Sequence, residues 1–238
     1  KLLPFASFAK KFGHKFDVSS PERIAASFNQ LLKNVQGRPE QHVLEQLGIR
    51  TMAKAKYTTE NVGHYGLGFE NYCHFTSPIR RYPDIQVHRI LFSVLNNRIM
   101  IEKKLEEKCK HTSERERAAM EAERAANKYK QVQYMKQFLG EDFEGIISGV
   151  ASFGFWVETV AHKCEGLVSV TSLLEYDEFR HAEADYALIG RRSGKQFRMG
   201  DKVQIKVVAA NLVKRQLDYE WVVDDEISLT KESRKKRK

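Results

Sequence analysis

Apolar residues recur at helical spacing through the first quarter of the chain. Ser19-Ser20-Pro21 is a helix start signal, and Gly37 ends the periodic run that follows. The apolar positions of that run are Ile24, Phe28, Leu31, Leu32 and Val35. A second helix is predicted to open at Pro39 and to carry Val43, Leu44, Leu47 and Met52. Residues 1–60 are therefore predicted to be helical.

The middle of the chain predicts one short strand and two further helices. Residues 65–69 are glycine-rich and flanked by aromatic residues, which favours a strand. Residues 83–95 have apolar side chains at helical spacing. Residues 101–139 contain neither proline nor glycine and are rich in strong helix formers, so a long charged helix is predicted there. We expect it to pack one side, formed by Leu105, Cys109, Ala119, Ala126, Val132 and Met135, against the rest.

After Gly140 the pattern changes from the helical period to alternation of apolar and polar residues. Five short alternating segments are predicted as strands, at 143–150, 153–158, 165–170, 202–208 and 216–222. Five strands over this length are typical of a small barrel of the oligonucleotide-binding type. Residues 171–200 are too long for a hairpin, so a helix and a basic loop at 191–195 are predicted there. The predicted fold class is α+β, a mostly helical part followed by this barrel.

Composition favours a polyanionic partner. The formal net charge is +9, which suits nucleic acid before a membrane surface. No apolar run is long enough to span a bilayer, and no signal-peptide pattern opens the chain. The cysteines, Cys73, Cys109 and Cys164, lie far apart, which argues against a zinc site or a disulfide framework and fits a reducing cytoplasm.

The most informative segment is 74–84, His-Phe-Thr-Ser-Pro-Ile-Arg-Arg-Tyr-Pro-Asp. Thr76 or Ser77 can cap a helix whose first position is Pro78. Two arginines would then project from a first turn where free N–H groups and the helix dipole favour an anion. Phe75 and Tyr82 offer flat faces for a base. The segment predicts a nucleotide phosphate site, and an ordinary capped helix with solvated arginines is the alternative.

Two segments together resemble a known family. Residues 64–68 and 74–84, with His88-Arg89, are similar to the signature of the ribonuclease II/R family. Residues 145–170 resemble the S1-type RNA-binding barrel that follows the catalytic RNB domain in that family. The resemblance implies that residues 1–140 are the C-terminal portion of an RNB domain and that 141–223 are the S1 barrel. Residues 224–238 are expected to be a basic, disordered tail.

The resemblance also implies an activity. The family hydrolyses single-stranded RNA from the 3′ end to nucleoside 5′-monophosphates, and an aspartate cluster holds two magnesium ions. No comparable cluster is found in this sequence, where only Asp224-Asp225 are adjacent, beyond the last strand. We therefore expect Mg²⁺ in a longer parent protein, no metal site in this piece, and RNA binding without cleavage. The alternative is a non-catalytic RNA-binding module of a translation or RNA-chaperone protein.

Site residues follow from the resemblance position by position. Arg80 matches the family arginine at the scissile phosphate, with a salt bridge to Asp84 as the alternative. The matches near the RNA strand in the catalytic domain are Arg81, Tyr82, His88 and Arg89. Tyr82 could stack or simply pack, and His88 could equally be a core histidine. Glu116, or Glu114 if the alignment slips, lies near the terminal sugar in the family and can accept from a 2′-hydroxyl.

The barrel contributes its own candidates. Phe153 and Trp156 match base-stacking positions of S1-type domains, and Phe155 is expected to face inward because strand residues alternate. Arg215 matches a basic position on the same face, which Lys202 and Lys206 can extend. The expected partner is single-stranded or structured RNA, without a membrane, and the expected state is a cytoplasmic monomer.

Overall fold

The computed structural model describes residues 1–38, 40–98 and 102–223. The predicted helix start at Pro39, the predicted start of the long helix at residue 101 and the basic tail at 224–238 lie outside the described residues. The chain forms two compact units. The first contains Lys1–Met52 and the chain from Asn127 onward, and the second contains Ala53–Ala126. The predicted boundary at residue 140 stays a prediction.

Three helices open the first unit: α1 (Leu2–Lys11), α2 (Pro21–Val35) and α3 (Gln41–Thr51). The predicted start of α2 is confirmed, because the Ser20 side chain accepts the backbone N–H of Arg23 and Pro21 follows in the first turn. Their shared core consists of Phe5, Phe8, Ala9, Phe28, Leu31, Val35, Val43, Leu44, Leu47 and Met199. The prediction of helix up to residue 60 is wrong, because α3 ends at Thr51 and Met52 adopts an extended backbone.

Eight strands follow, and five of them close into a barrel. The strands are β1 (Asp142–Ala151), β2 (Gly154–Thr159), β3 (Glu165–Ser169), β4 (Phe179–Ala182), β5 (Ala187–Gly190), β6 (Gln196–Arg198), β7 (Lys202–Asn211) and β8 (Gln216–Trp221). The barrel order is β1-β2-β3-β8-β7, with β3 and β8 parallel and the other paired strands antiparallel. The predicted α+β fold with a five-stranded barrel is confirmed, and Phe155 faces inward, fully buried, as expected.

Residues 171–200 contain the predicted basic loop, between β5 and β6, but not the predicted helix. They form a small antiparallel sheet of β4, β5 and β6, with a short 3₁₀ turn at Glu183–Asp185. The inward side chains include Leu188 and Phe197, which are buried against the barrel core. Strands of three or four residues are too short to display their alternation in the sequence, which explains the error.

Asp177 holds the basic loop after β5. Its carboxylate is buried and accepts the backbone N–H groups of Arg192 and Ser193 and the Ser193 hydroxyl, the last two at 2.7 Å. Burial alone would raise the pKa of Asp177, but the hydrogen bonds from Ser193, Glu178 and Arg192 hold it well below its usual range.

The second unit is built on α4 (Tyr82–Leu95) and most of α5 (Leu105–Met135). The long predicted helix is therefore confirmed with shorter bounds, and a 3₁₀ turn, Lys136–Phe138, follows it. The predicted packing side is only partly correct, since Val132 and Met135 are buried but Ala119 and Ala126 are exposed. The predicted strand at 65–69 is wrong: Tyr65–Leu67 is a 3₁₀ turn closed by a single bridge between His64 and Phe69.

Replacing Gly166 by alanine is expected to destabilise the barrel. Gly166 lies on β3 directly under the buried ring of Tyr219, and an added Cβ would overlap that ring. Overpacking of this kind costs about 1–3 kcal/mol of unfolding free energy. Chemical denaturation of Gly166→Ala measures it. Gly66→Ala is the control, because its Cβ would meet only the His64 side chain, at 3.6 Å; equal losses in both variants would contradict the packing account.

Asp177→Asn is expected to lower the melting temperature at pH 7, and the loss should shrink at acidic pH. The depressed pKa of Asp177 means that its stabilisation is fully present above the pKa of an unfolded aspartate and is lost as the pH falls through the folded value. Thermal melts from pH 7 down to pH 3 test this. Asp185→Asn, which removes a half-exposed ion pair to Lys11, serves as the control. A melting difference that stays constant down to pH 3 would show that the charge is irrelevant.

Candidate nucleic-acid interface

A tight turn precedes α4 and carries the two arginines of the motif. The backbone N–H groups of Arg80 and Arg81 both point to the carbonyl of Ser77, at 3.2 and 3.1 Å. Helix α4 then begins at Tyr82, with Arg81 as its N-cap residue and Pro83 in its first turn. The prediction that the helix starts at Pro78 is therefore wrong, and Arg80 lies in the turn instead of the helix. We call residues 77–81 the arginine turn.

A buried carboxylate holds this turn against the helix. Asp84 is fully buried, and its Oδ2 accepts the Ser77 N–H at 2.7 Å and an Arg81 guanidinium N–H at 2.9 Å. Burial alone would raise the pKa of Asp84, but the hydrogen bonds from Ser77 and Arg81 lower it below its usual range. The aspartate thus pairs with Arg81, and the alternative of a salt bridge between Arg80 and Asp84 is wrong.

Arg80 is left exposed by this arrangement. The neighbouring Ile79 is 96% exposed, so the two residues form the tip of the arginine turn. Among residues 1–38, 40–98 and 102–223, no ion pair involves the Arg80 guanidinium. An exposed guanidinium on a rigid turn can bind an anionic oxygen without first breaking a salt bridge.

A second group of polar residues lies within electrostatic reach of the arginine turn. The Tyr57 hydroxyl is 2.7 Å from His74 Nδ1, and the negative charge of the Glu116 carboxylate on α5 also acts on it. Burial and that carboxylate raise the pKa of Tyr57 far above its usual range. Burial lowers the pKa of His74, and the charges of Arg81 and Arg80 act in the same direction. The charges of Glu116 and Arg80 thus both influence the pKa of His74.

Tyr57 is the residue that the sequence interpretation missed. It stands alone in a polar stretch, 17 positions before His74 and 59 before Glu116, so no local pattern indicates its contacts. Its backbone N–H is also fixed, because it donates to the Ser113 Oγ at 2.9 Å, one turn before Glu116. His74 was part of the quoted motif, but no role was predicted for it.

The remaining candidates of the motif region lie on or beside α4. The ring of His88 stacks on Phe75 at 4.1 Å, and its Nε2–H donates to the Phe75 carbonyl at 2.9 Å. One face of Phe75 is therefore covered and unavailable to a base. Tyr82 is 45% exposed, and its hydroxyl accepts a hydrogen bond from the buried Gln86 amide. Arg89 is exposed further along the helix.

A groove of about 560 Å³ opens beside the Tyr82 ring. Its walls carry three permanent cations, one histidine and one acid, in the set Tyr82, Lys104, Glu107, Lys108, His111, Thr112 and Arg115. Glu107 lies 3.7 Å from Lys104, and Lys108 is paired with Glu102. The groove offers an aromatic face with a mainly cationic rim.

On the barrel, the two predicted stacking residues lie together. Phe153 sits in the turn between β1 and β2 and is 52% exposed. Its ring meets the ring of Trp156 edge to face at 5.4 Å. Gly149 passes under the indole, since a Cβ there would lie 3.2 Å from Trp156 Cε3. The barrel thus presents a supported aromatic pair to solvent.

The basic candidates of the barrel have different surroundings. Lys202 Nζ lies 2.8 Å from Glu144, beside a hollow of about 200 Å³ that Lys195 and Trp221 also line. Arg215 lies in the turn between β7 and β8 with a left-handed φ of 54°. Neither residue has a recorded contact with Phe153 or Trp156 in the described part of the chain, so their shared face stays a prediction.

Neither a metal centre nor a membrane-spanning helix is found in the described part of the chain. No group of three or more potential ligand side chains (His, Cys, Asp or Glu) gathers there in a way that could hold a metal ion. No helix there has both the length and the apolar character to cross a bilayer.

Comparisons with known proteins agree with the motif. The model of the RNB domain matches residues 4–97. Ribonuclease R of Aquifex aeolicus is 42% identical over 215 residues, which cover 88% of this chain and 30% of that protein. The chain belongs to the ribonuclease II/R family. Ribonuclease R 1 of Lactococcus lactis is 37% identical over the whole chain and 30% of its own length. The chain thus spans about a third of these relatives.

Solved structures show the same fold. Mycoplasma genitalium RNase R in its apo form matches with a TM-score of 0.82 and 24% identity, over 93% of this chain and 36% of that one. The same enzyme in complex with ribose-methylated single-stranded RNA also gives 0.82. Yeast Ssd1, described as a pseudonuclease, matches with a TM-score of 0.53 and 22% identity, over 87% of this chain and 25% of that one.

Alanine substitutions of Arg80 and Arg81 are expected to have different effects on stability and RNA binding. Arg81→Ala removes the partner of a buried carboxylate, so the melting temperature of the second unit should fall by several degrees. Arg80→Ala removes an exposed side chain, so the melting temperature should stay within about 1 °C, whereas affinity for single-stranded RNA should fall. Thermal melts and fluorescence anisotropy measure the two effects. Equal destabilisation by both substitutions would contradict the assignment of Asp84 to Arg81.

Proposed function

We propose that this chain supplies part of a 3′-to-5′ exoribonuclease that hydrolyses single-stranded RNA to nucleoside 5′-monophosphates. The observation that carries the proposal is the arginine turn: Arg80 is exposed at its tip, while Asp84 and Arg81 lock its base. The family membership supports it, since the relatives that cover most of this chain are named ribonuclease R.

Arg80 acts on the scissile phosphate in this proposal. Negative charge builds on the phosphoryl oxygens as water attacks phosphorus, and a fixed guanidinium stabilises that charge. The hydrogen bonds of the arginine turn fix the backbone position from which the Arg80 side chain extends. Arg81 cannot share this role directly, because its guanidinium donates to the buried Asp84.

The family implies magnesium, and the described residues do not fit it. Asp84 uses Oδ2 for Arg81 and Ser77, and Asp177 uses both oxygens for the loop at 192–193. No other cluster of ligands is present in the described ranges. We therefore derive no step through a metal, and the proposal is that this chain alone binds RNA without cleaving it.

The barrel and the groove provide the binding in this proposal. Phe153 and Trp156 present two aromatic rings, and stacking suits single strands because every base has a π-face. The cationic rim around Tyr82, with Arg89 nearby, suits the phosphodiester backbone. The formal charge of +9 supports the same partner. A cytoplasmic monomer is part of the proposal.

A non-catalytic RNA-binding protein is the second candidate. Yeast Ssd1, which is described as a pseudonuclease, shares this fold, so the fold alone does not require catalysis. The discriminating experiment measures magnesium-dependent release of nucleoside monophosphates by a longer protein that includes the region preceding this segment. Turnover that Arg80→Ala abolishes supports the exonuclease. Binding without turnover in the unaltered longer protein supports the second candidate.

Trp156→Ala is expected to weaken binding of single-stranded RNA by this chain. Loss of a stacked base costs about 1–3 kcal/mol, which corresponds to about a five-fold to hundred-fold rise in Kd. Fluorescence anisotropy with a labelled single strand measures it. Tyr129→Ala is the control, since Tyr129 is an exposed aromatic residue on α5 and not part of the Phe153–Trp156 pair. An unchanged Kd for Trp156→Ala would remove the barrel pair from the interface.

A further inference from the structure

A small polar hollow lies on the barrel and is not lined by the aromatic pair of Phe153 and Trp156. Its volume is about 200 Å³, and its lining residues are Glu144, Lys195, Lys202, Val203, Gln204 and Trp221. Sites for whole drug-sized molecules usually measure about 300 Å³ or more, so this hollow suits a smaller group. Its two ammonium groups and single carboxylate leave an excess of one positive charge.

The hollow and the aromatic pair occupy different parts of strand β1. Glu144 faces Gln204 of β7 near the start of β1, whereas Gly149, five residues further on, faces Trp156 of β2. A strand rises about 3.4 Å per residue, so about 17 Å of β1 separates the two places. A group bound in the hollow is therefore not the base that stacks on the aromatic pair.

Lys195 has a supported side chain and an ammonium group without an anionic partner. Its Nζ lies over the rings of Trp221 and Phe197, at 5.5 and 5.8 Å from their centroids. Among the residues that the structure describes, this ammonium forms no ion pair and no hydrogen bond. Burial raises the pKa of Asp201 and the charge of Lys195 opposes this, but the Asp201 carboxylate accepts the Arg198 N–H, at 2.8 Å. An aromatic face holds a cation without neutralising its charge, so Lys195 can still bind an anion.

The backbone that carries Lys195 is fixed before any ligand arrives. The buried Asp177 carboxylate accepts the N–H and the hydroxyl of Ser193, both at 2.7 Å, and Ser193 Oγ accepts the Lys195 N–H at 3.2 Å. The Gly190 N–H donates to the Lys195 carbonyl at 2.8 Å and closes the loop. A Cβ on Gly190 would lie 2.6 Å from Asp177 Oδ2, so this arrangement needs the glycine. Ordering of the loop therefore belongs to folding and does not weaken binding.

The other polar groups of the hollow are also available to a ligand. Lys202 Nζ lies 2.8 Å from Glu144, but both side chains are exposed, so solvent screens their attraction. The Gln204 amide and the Trp221 indole N–H have no hydrogen-bond partner among the described residues. Ammonium, amide and indole N–H groups are all donors, which suits an anionic group that only accepts.

We propose that this hollow binds one phosphodiester group of an RNA strand, with Lys195 and Lys202 as its cations and Gln204 as a further donor. A phosphodiester carries a single negative charge, which balances the single excess positive charge of the hollow. The inference rests on the proposed function for the identity of the ligand. The barrel then holds an RNA strand at two separate points, by stacking at one and by charge at the other.

The test measures how RNA binding by the 238-residue chain depends on salt. Each phosphate contact that is lost reduces the slope of log K against log salt concentration by about 0.7 for a single strand. Fluorescence anisotropy with a labelled single-stranded RNA at several salt concentrations gives this slope. Thermal melts show whether each variant is folded.

The variants separate charge from packing. Lys195→Met removes the charge and keeps an unbranched apolar side chain over the rings, whereas Lys195→Arg keeps the charge. Glu144→Gln removes the acid of the hollow. Lys33→Met and Glu22→Gln are the matched controls, because Lys33 and Glu22 are an exposed lysine and an exposed glutamate on α2.

Lys195→Met is expected to reduce the slope by about 0.7, which corresponds to about a four-fold rise in Kd at about 0.15 M salt. Lys195→Arg and Lys33→Met should keep the slope of the unaltered chain. Glu144→Gln should lower the Kd, because it frees the Lys202 ammonium, and Glu22→Gln should not. An unchanged Kd for Glu144→Gln would overturn the inference even if Lys195→Met does not fold.

Other outcomes separate the inference from the proposed function. If Trp156→Ala weakens binding and Lys195→Met behaves like Lys33→Met, the hollow is not part of the interface, and the proposed function stands. If Lys195→Met raises the Kd without changing the slope, the contact is not with a phosphate, and the inference is overturned. If the unaltered chain has no affinity for single-stranded RNA, the proposed function fails, and the inference fails with it.

Discussion

A carboxylate can be buried in a protein only if hydrogen bonds and a counter-charge replace the water that it loses. Asp84 meets this requirement with the Ser77 N–H and the Arg81 guanidinium. These bonds fix the base of the arginine turn to the start of α4. The position of the arginine turn then determines where the Arg80 side chain projects. Two buried polar atoms, Arg81 Nε and Asp84 Oδ1, have no protein partner in the described residues.

The chemistry of the second unit follows from this constraint. Arg80 and Arg81 are adjacent in sequence but have different surroundings. The Arg81 guanidinium is paired with Asp84, whereas the Arg80 guanidinium is exposed and can bind a ligand. The charges of Arg81, Asp84, Glu116 and Arg80 all influence the pKa of His74. The aromatic pair of the barrel in the first unit adds a different kind of contact, because stacking does not depend on charge.

The sequence predicted what depends on local patterns. The Ser20-Pro21 helix start, the five barrel strands and the inward Phe155 all rest on neighbouring residues, and the structure has them. It could not show whether Pro78 or Pro83 lies in the first turn of α4, because that choice depends on the contacts of the buried Asp84. The contacts of Tyr57 with His74 and Ser113 were equally hidden, since tertiary packing alone brings those positions together. The short strands β4 to β6 were missed because three or four residues show no clear period.

The central claim is that the arginine turn contacts the sugar-phosphate strand. Titration of the isotope-labelled chain with single-stranded RNA, followed by NMR of backbone and arginine side-chain resonances, tests it most directly. The account predicts shifts at Arg80 and Glu116 in the second unit together with shifts at Phe153 and Trp156 in the barrel. Shifts confined to the barrel, with the Arg80 guanidinium signal unchanged at saturating RNA, would contradict it.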